Sequence, residues 1–291
     1  MPVYDQTYRP YDGAAPKRFR WLAMVRQEWS IFAKLRLFRL FQFITALHLL
    51  LYIVLIFAVD GLQSMPDHPL RSATQNMGFQ QIDDTVFYLF ITLQSGLVFF
   101  TLVFIGSGFI SKDFRYNLVE VYFSKPLSWV DYVIGKTVTL VSVGLSMTAL
   151  PALLMLLLHI CFLPSWSTLE DSYWLPIPIL LFSLAIALPI ALAVLASSSF
   201  FNIQLFSGVA VVMLVVITSA IVINLSVALD NISIAVLSAP VAVNRLGEWF
   251  FQRPNLRLEV SPTISLAYMA FVCVVAASIV CLKVRRVGSA G

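Results

Sequence analysis

Hydrophobic residues make up 59% of the 291-residue chain and charged residues 12%, where soluble domains carry about 45–50% and about 25%. That balance excludes an ordinary soluble enzyme and leaves one helical membrane domain. The net charge of +4 is sorted along the chain in the manner of a membrane topology, so no nucleic-acid partner is read from it.

Residues 1–16, rich in Tyr, Pro and Asp and without apolar periodicity, are expected to form a cytosolic tail ahead of a single domain over 17–291. Helical periodicity begins at Lys17. On a helical wheel Trp21, Leu22, Val25, Trp29 and Phe32 share one arc, with Arg26, Gln27, Ser30 and Lys34 opposite. This predicts a basic amphipathic helix over 17–36, lying in the membrane interface. Glu28 falls on the apolar arc, where an acid needs a cation or a protein surface. Contact with a partner and snorkelling toward water both remain open for it.

Six apolar runs follow, Leu40–Val59, Thr85–Ile110, Thr137–Leu163, Trp174–Ser197, Leu205–Leu229 and Ile264–Leu282, and no Lys, Arg, Asp or Glu interrupts any of them. Each reaches the roughly 20 residues a bilayer crossing requires. Hydrocarbon offers backbone amides no partner, so the runs are helices. The first run is too long for a signal-peptide core, follows 39 residues and ends in Asp60-Gly61, so it is not a cleavable leader. Asp60–Asp84 reads as an irregular outer loop, and Pro164–Tyr173 as a short outer turn with Trp166 and Trp174 at the interface. Pro189 predicts a kink, and Ser197–Ser199 with Asn202 a tight inner turn. From Asp230 to Pro262 the apolar stretch Ile232–Val243 is too short to cross. It is expected either as one or two short helices re-entering or lying on the outer leaflet, or as a partly buried loop. Cys161, Cys273 and Cys281, odd in number and at no metal-like spacing, read as packing residues.

Placing both termini and the central loop on one side gives that side 15 Lys and Arg against six acids, and the other side four against nine. The positive side faces the cytoplasm, in a multi-pass protein of the plasma (inner) membrane.

The loop 111–136 is the longest charged stretch between spans. Phe114, Leu118, Val121 and Tyr122 have helical spacing, and Asp113 suits the positive end of that helix. Pro126 ends it. Ser128 and Asp131 form a capping-box pattern for a new helix that runs into span three. Gly135-Lys136-Thr137 is not a phosphate loop, because Val130 stands where the first glycine is required. Lys136 reads as a marker of the cytoplasmic membrane boundary. The chain contains no nucleotide-binding loop of its own.

Ile110-Ser-Lys-Asp113, Leu118, Val121, Ser124-Lys-Pro126 and Tyr132-Val-Ile-Gly135-Lys136, taken in this order with Met24-Val-Arg-Gln-Glu28 upstream, resemble the permease subunits of ABC-2-type transporters. The chain departs from that pattern at Tyr116-Asn117-Leu118 and at Trp129–Tyr132. The resemblance implies an all-α membrane protein of six spans with an N-terminal interfacial helix and short outer helices before the last span. It also implies a homo- or heterodimer of permeases above two copies of a separate ABC ATPase. ATP and Mg would belong to that partner, and this chain would bind no cofactor. Asp113, Arg115, Leu118, Glu120, Val121 and Pro126 would couple to the ATPase, with Arg26 and Glu28 as contacts on the interfacial helix. Three other readings are a secondary transporter, an integral-membrane enzyme and a scaffold. The first usually needs mid-span charges, and His48, Gln94, His159 and Asn224 are the most polar span residues here. The second needs a converging constellation of acid–base or metal-binding groups, and none is visible.

Overall fold

A computed structural model describes residues 19–63, 83–123, 127–162, 173–253 and 261–288. All regular structure among them is helical: α1 (Trp21–Phe32), α2 (Arg36–Gln63), α3 (Asp84–Gly106), α4 (Ser111–Arg115), α5 (Leu118–Phe123), α6 (Trp129–Met147), α7 (Ala149–Phe162), α8 (Pro176–Phe200), α9 (Gln204–Ala228), a 3-10 helix (Ile232–Leu237), α10 (Ala239–Phe250) and α11 (Pro262–Gly288). Six stretches are long and apolar enough to cross a membrane: Arg36–Val59, Asp84–Arg115, Trp129–Cys161, Pro176–Phe200, Gln204–Ala228 and Pro262–Arg286.

The helix α8 is the hub of the bundle, packed against α3, α6, α9, α10 and α11. It is apolar all round, as a helix enclosed by protein or lipid must be. Phe182, Ile186, Ala187, Ala191, Val194 and Leu195 are wholly or almost wholly buried along it. Small residues set how closely its neighbours approach. A Cβ at Gly144 of α6 would lie 2.6 Å from the Ala187 Cβ, so the two backbones touch there. By contrast α2, α9 and α11 leave most of their apolar surface outside the protein. Polar bonds tether the peripheral α2: Gln42 donates to the Ser146 hydroxyl at 3.1 Å, and Gln94 to Thr45 at 2.7 Å.

Several elements differ from expectation. The third crossing is two helices, α6 and α7, that meet at Thr148. Pro151 has no N–H to offer the Met147 carbonyl, and its ring crowds that carbonyl. Ser197, Ser198 and Ser199 are still helical, and the turn falls at Phe201–Ile203. The single helix expected after span two is broken into α4 and α5 at Asn117, whose φ of 54° is a left-handed conformation that asparagine tolerates. Between Asp230 and Arg253 the chain forms the 3-10 helix and α10, whose Ala235, Val236, Ala242 and Leu246 are buried. Asp83 caps α3 by accepting from the Thr85 amide (3.1 Å) and hydroxyl (2.7 Å). The tail 1–16, Trp166, Pro126 and most of the first outer loop lie outside the described residues, as do the side chains of Glu120 and Val121.

Candidate functional site

The third crossing begins with a complete capping box. The Ser128 hydroxyl accepts from the Asp131 amide at 3.1 Å, and the Asp131 carboxylate accepts from the Ser128 amide at 3.2 Å. This fixes the first turn of α6 and with it the rotation of the helix. Tyr132 and Lys136, one turn apart, then point into the protein; Tyr132 is fully buried and Lys136 is 1% exposed.

The Lys136 ammonium is held between two carboxylates. Its Nζ lies 2.8 Å from Glu28 Oε1 on α1 and 2.8 Å from Asp113 Oδ2 on α4. The Tyr132 hydroxyl donates to the same Asp113 oxygen at 2.7 Å. The Phe109 ring covers the ammonium at 4.0 Å from its centroid, a cation–π contact strengthened by the absence of water. Tyr122 of α5 lines the cluster 5.9 Å from the ammonium; burial raises its phenol above the ordinary value against the pull of Lys136. Two carboxylates share one ammonium, so the cluster is formally one charge negative. The Tyr132 hydroxyl offsets part of that excess at Asp113.

These contacts bear on three expectations. Lys136, expected to mark the cytoplasmic membrane boundary, is an internal cation, 1% exposed. Glu28, 8% exposed, neither snorkels nor faces outward; its partner is a lysine of its own chain. Asp113, 6% exposed, lies beneath the surface where a partner would contact the loop. The buried stripe of α1 is Met24, Glu28 and Phe32, rotated from the expected arc so that Leu22 is half exposed. The reason is α6: a Cβ at Gly135 would lie 2.9 Å from Met24 Sδ, so the absent side chain lets α1 press close. The Trp29 indole N–H also donates to Ser142 at 2.8 Å.

Arg26, Arg115 and Leu118 are exposed. The Arg115 guanidinium lies 5.9 Å from the Tyr116 ring centre, making an aromatic and cationic surface directly outside the buried cluster. From the sequence, Lys136 was expected only to mark the membrane boundary, and Ser198 only to lie in a tight turn. The Ser198 hydroxyl on α8 accepts from the amides of Ile110 and Ser111 at 3.0 and 3.1 Å, capping α4 from another helix. Two signals were legible: Glu28 on an apolar arc, where an acid needs a cation, and the i, i+4 spacing of Tyr132 and Lys136, which puts both on one face of α6.

Three further polar groups lie elsewhere. His48 and Gln94 meet across α2 and α3 at 2.7 Å. Arg245 and Glu248 form an ion pair at 2.9 Å with both side chains almost fully buried. Arg253 reaches Asp83 at 3.6 Å and Asp84 at 3.7 Å, tying the end of the α10 segment to the start of α3. Among the described residues no group of three or more His, Cys, Asp or Glu could hold a metal ion.

No protein-family model matches the chain, and no curated protein sequence matches it.

Proposed function

We propose that this chain is the membrane-spanning permease subunit of an ABC-2-type transporter, driven by a separate ATPase that docks on the cytoplasmic side. The observation that supports this reading is the Glu28–Lys136–Asp113 cluster. It joins the N-terminal helix, the segment after span two and the base of span three into one body. A docking surface fused in this way to a crossing helix can pass a displacement into the membrane, because breaking a buried ion pair such as these at 2.8 Å costs about 3–5 kcal/mol. In this reading Arg26, Arg115 and Leu118 meet the ATPase directly. Asp113 and Glu28 act as positioning residues beneath that surface, and Glu120, Val121 and Pro126 belong to the same loop. The permease works as a dimer above two ATPase copies that supply the ATP and Mg sites.

Affinity purification of the full chain in mild detergent tests the proposal. A Walker-motif ATPase is expected to co-purify at equal stoichiometry, and its hydrolysis rate is expected to rise on reconstitution with the permease. Arg115→Glu and Leu118→Asp should reduce that stimulation severalfold while leaving membrane insertion intact. Solute movement by the chain alone, with no ATPase companion, overturns the proposal.

A further inference from the structure

We propose that the corner between α1 and α2 is a binding site for anionic phospholipid headgroups, formed by Lys34, Arg36 and Arg39. All three side chains are exposed, and they lie within six residues of each other. From Trp29 to Val59 the sequence contains no Asp or Glu. The one acid on α1, Glu28, is already bound to Lys136 at 2.8 Å. Among the described residues no ion pair involves Lys34, Arg36 or Arg39, so no described acid compensates the patch.

The corner is an ordered scaffold for these charges. Lys34 N–H donates to the Ile31 carbonyl (3.1 Å), Leu35 N–H to Phe32 (2.9 Å), and Arg39 N–H to Leu35 (3.1 Å). Depth follows from helix geometry. The twenty residues Leu40–Val59 rise about 30 Å as a helix, which matches the hydrocarbon thickness. The turn before them, with Arg36 and Arg39, therefore falls at the level of the lipid phosphates. Leu35, Leu37 and Leu40 are 38%, 45% and 50% exposed between the cations. Alternating leucine and cation fits acyl chain beside phosphate, not the face of an acidic soluble protein. An uncompensated cation near an anionic surface favours binding by about fivefold, so the preference is for anionic over zwitterionic lipid. The inference rests on no assumption about transport.

Native mass spectrometry of the purified full chain, titrated with phosphatidylglycerol or phosphatidylcholine, is the test. The wild type is expected to retain phosphatidylglycerol in preference to phosphatidylcholine. Lys34→Gln/Arg36→Gln/Arg39→Gln should weaken phosphatidylglycerol binding by more than about tenfold and leave phosphatidylcholine unchanged. The single variants, which leave the buried contacts untouched, should each lose about fivefold. Lys283→Gln/Arg285→Gln removes two exposed cations at the end of α11, outside the corner, and should weaken phosphatidylglycerol binding less than the triple corner variant does. Equal affinity of the wild type for the two lipids, or equal loss in the corner and α11 variants, overturns the proposal.

Discussion

Replacing Lys136 by methionine removes the ammonium but keeps most of the aliphatic volume, which isolates the electrostatic contribution of the cluster. Two charge-assisted contacts of 2.8 Å disappear together, each worth about 1.5–3 kcal/mol. The Phe109 contact at 4.0 Å goes with them. What remains is two carboxylates with 11% and 8% side-chain exposure and no cation. Removing one member of a buried ion pair costs about 3–5 kcal/mol, chiefly through the charge left behind. The loss for Lys136→Met is therefore expected near the top of that range, read as the shift in a reversible denaturation curve in mixed micelles. Adding Glu28→Gln and Asp113→Asn removes the stranded charges. Tyr132 can still donate to an asparagine oxygen, so the triple variant should recover most of the loss. If Lys136→Met were as stable as wild type, or if neutralising both acids restored nothing, the cluster would not be the joint between α1, α4 and α6 described above.

Other expectations follow from close contacts and hydrogen bonds. Gly144→Ala places a methyl 2.6 Å from the Ala187 Cβ and should destabilise by about 1–3 kcal/mol in the same micelle titration. Gly96→Ala, with nothing within 4 Å, should show no loss. Gln94→Leu removes both the His48 and Thr45 bonds at 2.7 Å; the expected cost is about 0.6–2 kcal/mol in the same titration. Ser128→Ala deletes the hydroxyl half of the capping box and should cost about 1 kcal/mol, with increased amide hydrogen exchange confined to the first turn of α6.

Length, hydropathy and charge pattern were enough to specify six apolar helices, because a crossing needs a run of fixed length and no other backbone form satisfies its own amides in hydrocarbon. The start of α6 was equally legible, since Ser128 and Asp131 satisfy each other within one turn. Local rules failed where a distant helix supplied the partner. Glu28 and Lys136 are 108 residues apart in sequence, and Ser198 caps a helix 88 residues before it; no periodicity within a segment encodes such meetings. The rotation of α1 was likewise set at Gly135, whose missing side chain admits Met24 to the buried stripe beside Glu28. The chain alone determined how many helices are long and apolar enough to cross a membrane. Tertiary packing decided which charges were buried, because burial depends on the face that a neighbouring helix covers.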